Sequence, residues 1–312
     1  MKAVVVEHRG DPGTLKEIPT PSPGPQEILV RVTAAGVNPI DWKVRDRGDH
    51  ALPFVLGQDF AGVVSRTGTG VTKYREGERV FGLTDGGAYA EYTVVPQDDR
   101  EQPVAKIPDD VGDADAAALP TAGLTALASI EALSIAKETT LLVMGATGGV
   151  GGFAVQIAHE QGAHVIAVAR SQSEDLARSL GADEFVGYDR QNVVEAVKAA
   201  HPAGIDAVLD LVDDAEAIKS MANIVRAGGK IISTVHSADA QWFAQRVISA
   251  QNISVFQTLQ FSHKGLRTLL ELLEQGRIRV TIARERPLSE AVEALEESKS
   301  GAVNGKLVIT VG

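Results

Sequence analysis

Cysteine is absent from all 312 residues. Its absence excludes disulfides, a thiolate nucleophile and any Cys-ligated zinc, and fits a reducing compartment. Basic charge is also short: 30 Lys and Arg stand against 41 Asp and Glu, a net charge of −11. A nucleic-acid surface needs clustered Lys and Arg, so that class is disfavoured, while a local basic pocket for one small anion stays open. Long apolar runs are missing too. The run "AVVV" near the N-terminus is too short for a signal peptide, and no window approaches the roughly 18 apolar residues of a membrane span. A soluble, cytoplasmic protein is expected. There is no internal repeat and no low-complexity tract.

What is present is ordinary globular material, 44% hydrophobic and 23% charged, enough for one large domain or two of usual size. The first hundred residues read as short β-prone runs ("KAVVVEH", "EILVRVTAAGV", "AGVVSRTG", "ERVFGL", "AYAEYTVV") separated by turn chemistry such as "PTPSPGPQE" and "TDGG". From residue 112 "DADAAALPTAGLTALASIEAL" is alanine-rich and helical in spacing, with Pro120 predicting a break. An alternation then begins. "TLLVM" (140–144) leads to a helix over 149–161, "HVIAVA" (164–169) to "SEDLARSL", "EFV" (184–186) to "NVVEAVKAA", "IDAVLDLV" (205–212) to "AEAIKSMANIVR", and "KIISTV" (230–235) to "AQWFAQRVISA". "ISVFQ" (253–257) completes six strands, and two amphipathic helices and a terminal strand "GKLVITV" follow. Strands alternating with helices predict an α/β fold with a doubly wound parallel sheet.

The first strand of that series runs into "GATGGVG" (145–151) and a helix. Ala146, Gly148 and Gly151 have the spacing of the dinucleotide fingerprint with alanine at its first position. Its strand-before, helix-after context is what gives that pattern weight. Glycine lets the backbone approach a pyrophosphate, and the helix N-terminus supplies free N–H groups and positive dipole. Ala146, Thr147, Gly148, Gly149, Val150 and Gly151 are therefore the expected cofactor loop. The blander alternative is that the glycines only permit close helix–strand packing. A nucleotidase phosphate loop is excluded, because Gly152 and Phe153 stand where Lys and Ser or Thr would be required. At the end of the second strand, where an NAD site carries an acid, the sequence has Ala169, Arg170 and Ser171. A guanidinium can hold a 2′-phosphate that a carboxylate would repel, so the expected cofactor is NADPH. Ser171 and Glu174 also have capping-box spacing, so Ser171 is read both as a cofactor contact and as a helix cap.

Taken together, "AAGVNPIDWKVR" (34–45), "PFVLGQDFAGVV" (53–64), "GERVFGL" (77–83), "GAYAEY" (87–92), "ALPTAGLTAL" (118–127), "GATGGVG" (145–151) and "GKLVI" (305–309) resemble the medium-chain dehydrogenase/reductase superfamily, in its zinc-free quinone oxidoreductase branch. The resemblance covers essentially the whole chain. It implies a GroES-like, β-rich catalytic domain from residues 1–120 and 262–312, a Rossmann NADP-binding domain at 121–261, and an active site in the cleft between them. Zinc enzymes of the superfamily carry Cys where Asn38 stands and His-Glu where Gln58 and Asp59 stand; "ALPTAG" offers no third ligand, so no metal is expected.

The same resemblance assigns roles. Asn38 is expected to be a cleft amide meeting substrate or the nicotinamide ribose, or else a turn residue before Pro39. Lys43 is expected to stabilise an oxyanion or deliver a proton, or else to be a solvated lysine. Gln58 and Asp59 would form a hydrogen-bond network in the vacated metal position. Thr121 is placed beside the nicotinamide, with a helix N-cap as alternative. Tyr188 is placed near the 2′-phosphate, Phe256 and Gln257 at the carboxamide as the end of the sixth strand, and Lys306 as a further cofactor contact. The activity implied is hydride transfer from NADPH to a quinone or the β-carbon of an α,β-unsaturated carbonyl. Without a Lewis acid to lower an alcohol's pKa, reduction of an activated acceptor is the more accessible direction. The alternatives are a thioester-type enoyl reductase and a non-catalytic, crystallin-like or scaffolding NADPH-binding protein. A homodimer through edge strands near 240–260 is expected.

Overall fold

β-Prone runs cut by proline and glycine build an antiparallel, sheet-rich first unit. In the computed structural model, which describes residues 1–48, 50–98, 102–258 and 260–312, the chain opens with β1 (Lys2–Val6), β2 (Thr14–Glu17), β3 (Glu27–Val37), helix α1 (Pro39–Arg47), β4 (Phe54–Val55), β5 (Asp59–Thr67), β6 (Arg79–Leu83), β7 (Tyr92–Pro96) and β8 (Val104–Lys106). β1 pairs with β2 and β4 in a small sheet, while β3, β5, β6, β7 and β8 belong to a larger one. Phe60, Phe81, Tyr89 and Ile28 are fully buried in this unit's core. The alanine-rich stretch forms α2 (Asp113–Ala118) and α3 (Pro120–Leu133) with the expected break at Leu119. Pro120 lacks an N–H and cannot continue α2, but its fixed φ suits the first residue of the next helix.

The second unit is the alternating region: β9 (Thr140–Met144), α4 (Gly149–Glu160), β10 (His164–Ala169), α5 (Glu174–Ser179), β11 (Glu184–Gly187), α6 (Val193–Ala200), β12 (Ile205–Asp210), β13 (Val225–Ser233), α7 (Ala240–Ala244) and β14 (Ser249–Asn252). All pairings are parallel, in the order β11-β10-β9-β12-β13-β14. Central strands of such a sheet are covered on both faces, hence the unbroken apolar runs of β9 and β10. The order reverses between β9 and β12, the position at which such sheets take ligands beyond the strands' carboxyl ends.

Two expectations fail here. "AEAIKSMANIVR" forms a 3-10 turn, Ile218–Asn223, rather than an α-helix, and β13 begins earlier, at Val225. The sixth strand is Ser249–Asn252, not 253–257. Its register sets Lys230 opposite Ser249 and Ser233 opposite Asn252. As an edge strand it buries only Ala250, so "SAQN" carries no apolar alternation for a sequence reader to find. Phe256 and Gln257 lie instead in the 3-10 turn Val255–Gln257.

The chain then adds α8 (His263–Glu274), β15 (Ile282–Pro287), α9 (Ala291–Lys299) and β16 (Lys306–Thr310). β16 runs antiparallel to β3, with Leu307 opposite Val37, and β15 lies parallel to β16 at the edge of the larger sheet. The first unit thus comprises Met1–Ala122, Phe261–Glu274 and Val280–Gly312; the second comprises Gly123–Gln260 and Gln275–Arg279. Among the described residues no helix is long and apolar enough to cross a membrane.

Candidate active site

The pairing of Leu307 with Val37 brings Lys306 beside Asn38, although 268 positions separate them in the chain. Lys306 is buried, and its ammonium donates to the carbonyl of Val37 at 2.8 Å and to Oδ1 of Asn38. An ammonium only donates and a carboxylate only accepts, which fixes the Asn38 amide: Oδ1 faces Lys306, and Nδ2 donates to Asp59 Oδ2 at 2.8 Å. Thr121 completes the Asp59 carboxylate, Oγ1 donating to Oδ1 at 2.6 Å and the backbone N to Oδ2 at 3.1 Å. Thr121 is the second residue of α3, so Asp59 satisfies an N–H at that helix's start; Thr121 is not the N-cap.

A second carboxylate faces the same cluster. Asn38 precedes Pro39 as the N-cap of α1. Asp41, three residues on, accepts from the Asn38 backbone N at 2.8 Å and from the Tyr89 hydroxyl at 3.0 Å, both at Oδ2. Its buried Oδ1 has no partner among the described residues. Asp59 and Tyr89 are wholly buried, with Asn38 at 1% and Asp41 at 2% exposure. Burial, and then the charge of Asp59, push the Asp41 carboxyl up to about 7 against those two hydrogen bonds. Burial likewise raises Asp59 and lowers Lys306, each opposed by the other's charge. It lifts Tyr89 well above the ordinary phenol range, with Asp41 adding to the effect.

In the second unit, the turn from β9 to α4 is held by its backbone. Gly145 N and Ala146 N both donate to the Val168 carbonyl, at 3.0 Å each, with Gly145 at φ +80°, which favours glycine. At Gly151 a Cβ would lie 2.2 Å from the Gly145 carbonyl oxygen, so only glycine lets α4 start this close to the turn. Close packing thus accounts for Gly151. It does not account for Gly148, where a Cβ would come no nearer than 3.4 Å. Gly148 is the N-cap of α4, and no side chain caps this helix. Gly149 and Val150 open it, and helical geometry leaves their N–H groups without intrahelical acceptors, as an anion site requires. Thr147 is buried in the same turn.

At the carboxyl ends of β10 and β11, Arg170 Nε donates to the Tyr188 hydroxyl at 2.9 Å, and Tyr188 is 51% exposed. The expected capping box is absent. Ser171 gives its backbone N and its hydroxyl to Asp189 Oδ1, at 2.7 and 2.8 Å, and α5 begins only at Glu174, after a 3-10 turn over Ser171–Ser173.

Residues 24–109 match the family model of the alcohol dehydrogenase GroES-like domain, and residues 180–309 that of zinc-binding dehydrogenase. A chloroplast envelope quinone oxidoreductase homolog from Arabidopsis thaliana is 30% identical over 311 residues, covering 94% of this chain and 92% of the relative. A 2-methylene-furan-3-one reductase from Solanum lycopersicum is 32% identical over 301 residues, covering 91% and 71%. The solved structure of the quinone oxidoreductase from Coxiella burnetii superposes with a TM-score of 0.90 at 30% identity, covering 100% of this chain and 99% of that one. The chain belongs to the medium-chain dehydrogenase/reductase superfamily, in its zinc-free quinone oxidoreductase branch.

Within that superfamily the first unit is the GroES-like domain and the second the Rossmann domain of a nicotinamide-dinucleotide oxidoreductase. Of the positions that the zinc enzymes use for ligands, Asn38 and Asp59 are hydrogen-bonded, Gln58 adjoins them in sequence, and Thr121 of the "ALPTAG" segment bonds Asp59. Their donors do not suit zinc. Amides and a hydroxyl replace thiolate and imidazole, and the Lys306 ammonium already bonds Asn38 Oδ1. Gln58 is half-buried; its backbone carbonyl accepts from Thr84 N at 3.0 Å, while its buried Oε1 has no partner among the described residues. Lys43, on the same helix as Asp41, is half-buried with its ammonium 5.5 Å from the Trp42 ring centre. Among the described residues it has no carboxylate partner. Burial, then the charge of Arg47, pull its pKa below the usual lysine value.

Sequence reasoning missed the roles of Tyr89, Asp41 and Asp189. The N-x-x-D spacing of Asn38 and Asp41, which matches a capping box, was the available signal for Asp41. Tyr89 and Asp189 have none, since both reach their partners through tertiary packing.

Proposed function

We propose that the protein is an NADPH-dependent reductase that passes a hydride to a quinone or to the β-carbon of an α,β-unsaturated carbonyl, with no metal in the reaction. The observation that carries this reading is the Lys306–Asn38–Asp59–Thr121 hydrogen-bond chain, in which Asn38 and Asp59, at positions that hold a catalytic zinc in relatives, are engaged by groups that cannot ligate one well. Bound NADPH supplies the hydride. The glycine loop from Ala146 to Gly151 takes the pyrophosphate on free backbone N–H groups. Arg170, held by Tyr188, pairs with the 2′-phosphate. Phe256 and Gln257 stay as candidates for the carboxamide end.

In the first unit, Lys43 offers an ammonium to the oxygen on which negative charge develops, and gives or relays the proton that completes hydroquinone or saturated ketone. The unpartnered Oε1 of Gln58 accepts from a hydroxyl. Thr121 and Asn38 are held in place by Asp59 and Lys306 and present their atoms to the nicotinamide ribose or acceptor with little freedom to reorient. The open edge of β14 is the surface on which a homodimer would pair.

One observation favours a second cofactor reading. Asp189 places a carboxylate on Ser171, where it would repel a 2′-phosphate and could accept from a ribose hydroxyl, as in an NADH enzyme. Following cofactor oxidation by absorbance, with NADPH and NADH compared against an ortho-quinone and a simple enone, separates the two. NADPH oxidation that is faster and unaffected by a chelator is the expected result. Preference for NADH would remove the 2′-phosphate assignment, and chelator inhibition at a temperature where the stripped protein stays folded would remove the metal-free mechanism. Tight NADPH binding without turnover would leave the non-catalytic alternative.

A further inference from the structure

Two histidines and a carboxylate meet on the second unit, away from the glycine loop. His164 is the first residue of β10 and Glu184 the first of β11. The parallel register sets Ile166 opposite Glu184, and the two-residue alternation of a strand then puts His164 and Glu184 on the same face of the sheet. α6 ends at this face, where its C-terminal His201 brings a second imidazole. His164 Nε2 lies 2.6 Å and His201 Nε2 3.0 Å from Glu184 Oε1. Among the described residues this is the group of three such side chains whose ligand atoms lie within 4.8 Å of one another.

We propose that His164, Glu184 and His201 bind a divalent first-row transition-metal ion, with Zn²⁺ as the expected occupant. Two imidazole nitrogens and one carboxylate oxygen suit Zn²⁺, Ni²⁺ or Cu²⁺ and do not suit Mg²⁺ or Ca²⁺, which take oxygen sets. Metal–ligand bonds of about 2.0–2.1 Å in tetrahedral geometry separate ligand atoms by roughly 3.3 Å. Each imidazole nitrogen therefore needs to move away from Glu184 Oε1 by less than about 1 Å, with water as fourth ligand. A candidate outer partner is near: His164 Nδ1 lies 3.8 Å from Asp183 Oδ2. With Nε2 on the metal, Nδ1 carries the proton, and a small shift of the ring would bring it within hydrogen-bond reach of that carboxylate, the arrangement that orients a ligating histidine. Asp183 and Glu184 together offset the ion's charge. The rings are 40% and 20% exposed, so an ion reaches them without unfolding.

The site is at the amino end of the sheet, whereas the glycine loop follows the carboxyl end of β9. β10 has six residues, so at about 3.3 Å per residue the two ends lie roughly 16 Å apart. The ion would tie β10, β11 and the end of α6 together and take no part in hydride transfer.

Zn²⁺ titrated into chelator-stripped protein, in competition with a chromogenic chelator, tests this. One strong site per chain is expected, with affinity reduced at least 100-fold in the His164→Ala/His201→Ala double variant and about tenfold in Glu184→Gln. Zn²⁺ should also raise the Tm of the wild type and not of the double variant, and Co²⁺ should give the visible bands of a four-coordinate centre only in the wild type. Equal affinity in wild type and double variant, or no stoichiometric site at all, would overturn the proposal. Should the double variant be poorly folded without metal, His164→Gln alone gives the same comparison at a half-exposed position.

Discussion

Replacing Asp41 by Asn should change how stability depends on pH more than it changes stability itself. Asp41 is 2% exposed, with its folded pKa raised from 3.8 to about 7, chiefly by burial and secondarily by Asp59. Between about pH 4 and pH 7 the folded chain then holds one proton at this site that the unfolded chain has released. Stability must fall as pH rises through that window, because the unfolded state binds fewer protons there. Above about pH 7 the loss is complete, near 4 kcal/mol for a shift of about three units at roughly 1.4 kcal/mol each. Asn mimics the protonated acid: its Oδ1 can accept from Asn38 N and Tyr89 OH, with the amide nitrogen where Asp41 Oδ1 has no partner. The variant lacks the titration and keeps the shape. Urea unfolding of both proteins at pH 5 and pH 8 isolates the effect, since every other titrating group is common to the pair. The free-energy difference should move in favour of Asp41→Asn by about 3 kcal/mol between those pH values. Parallel pH profiles would refute the reasoning and show Asp41 ionised in the folded protein across the range. A carboxyl ¹³C titration of the wild type gives the same answer without a variant.

Lys306→Met leaves Asp59 buried without its cation, and chemical denaturation should show a loss of about 3–5 kcal/mol; Asp59→Asn added to it should recover part of that loss. Gly151→Ala forces a Cβ to within 2.2 Å of the Gly145 carbonyl oxygen. The turn must move, costing about 1–3 kcal/mol, and calorimetry should find dinucleotide affinity reduced along with Tm. Arg170→Ala should raise the NADPH KM by roughly 10–100-fold, the value of a charged hydrogen-bonded pair of about 1.5–3 kcal/mol, and leave the NADH KM nearly unchanged in steady-state assays. Lys43→Met should lower kcat with little change in the NADPH KM, if its ammonium acts on charge that develops in the transition state.

The second unit was the more legible in sequence. β9, β10 and α4 fall at the expected residues because their signals are local: continuous apolar strands, a glycine turn and a helical period within one 30-residue window. Edge strands carry no such signal. β14 buries one residue, and β15 is "IARERP", whose charges protect an exposed edge and disguise it as a loop. Apolar pattern therefore points to 253–257 for the sixth strand and gives no sign of β15.

The polar cluster was legible only one residue at a time. Asn38, Gln58 and Thr121 could be singled out, because each stands where a family motif gives that position a role. That Asn38 hydrogen-bonds both to Lys306 and to Asp59 depends on a pairing between strands at opposite ends of the chain. No local pattern encodes such a pairing. The chemistry follows from it, because a buried carboxylate is costly wherever its charge is unmatched. Two carboxylates here share one ammonium, and the excess charge can be neutralised only by a proton. Asp41, farther along the network and with one oxygen unpartnered, is where that proton belongs. Lys306 supplies a positive charge to Asn38, which stands where the superfamily's zinc enzymes carry a ligand. Unlike a metal it has no open coordination site, so it can hold Asn38 in place and offset the charge of Asp59 but cannot activate a substrate oxygen by ligation. On the metal-free reading proposed above, activation comes from a group that is not already bonded within the cluster. In the first unit Lys43 is such a cation, carried on the same helix that Asn38 caps.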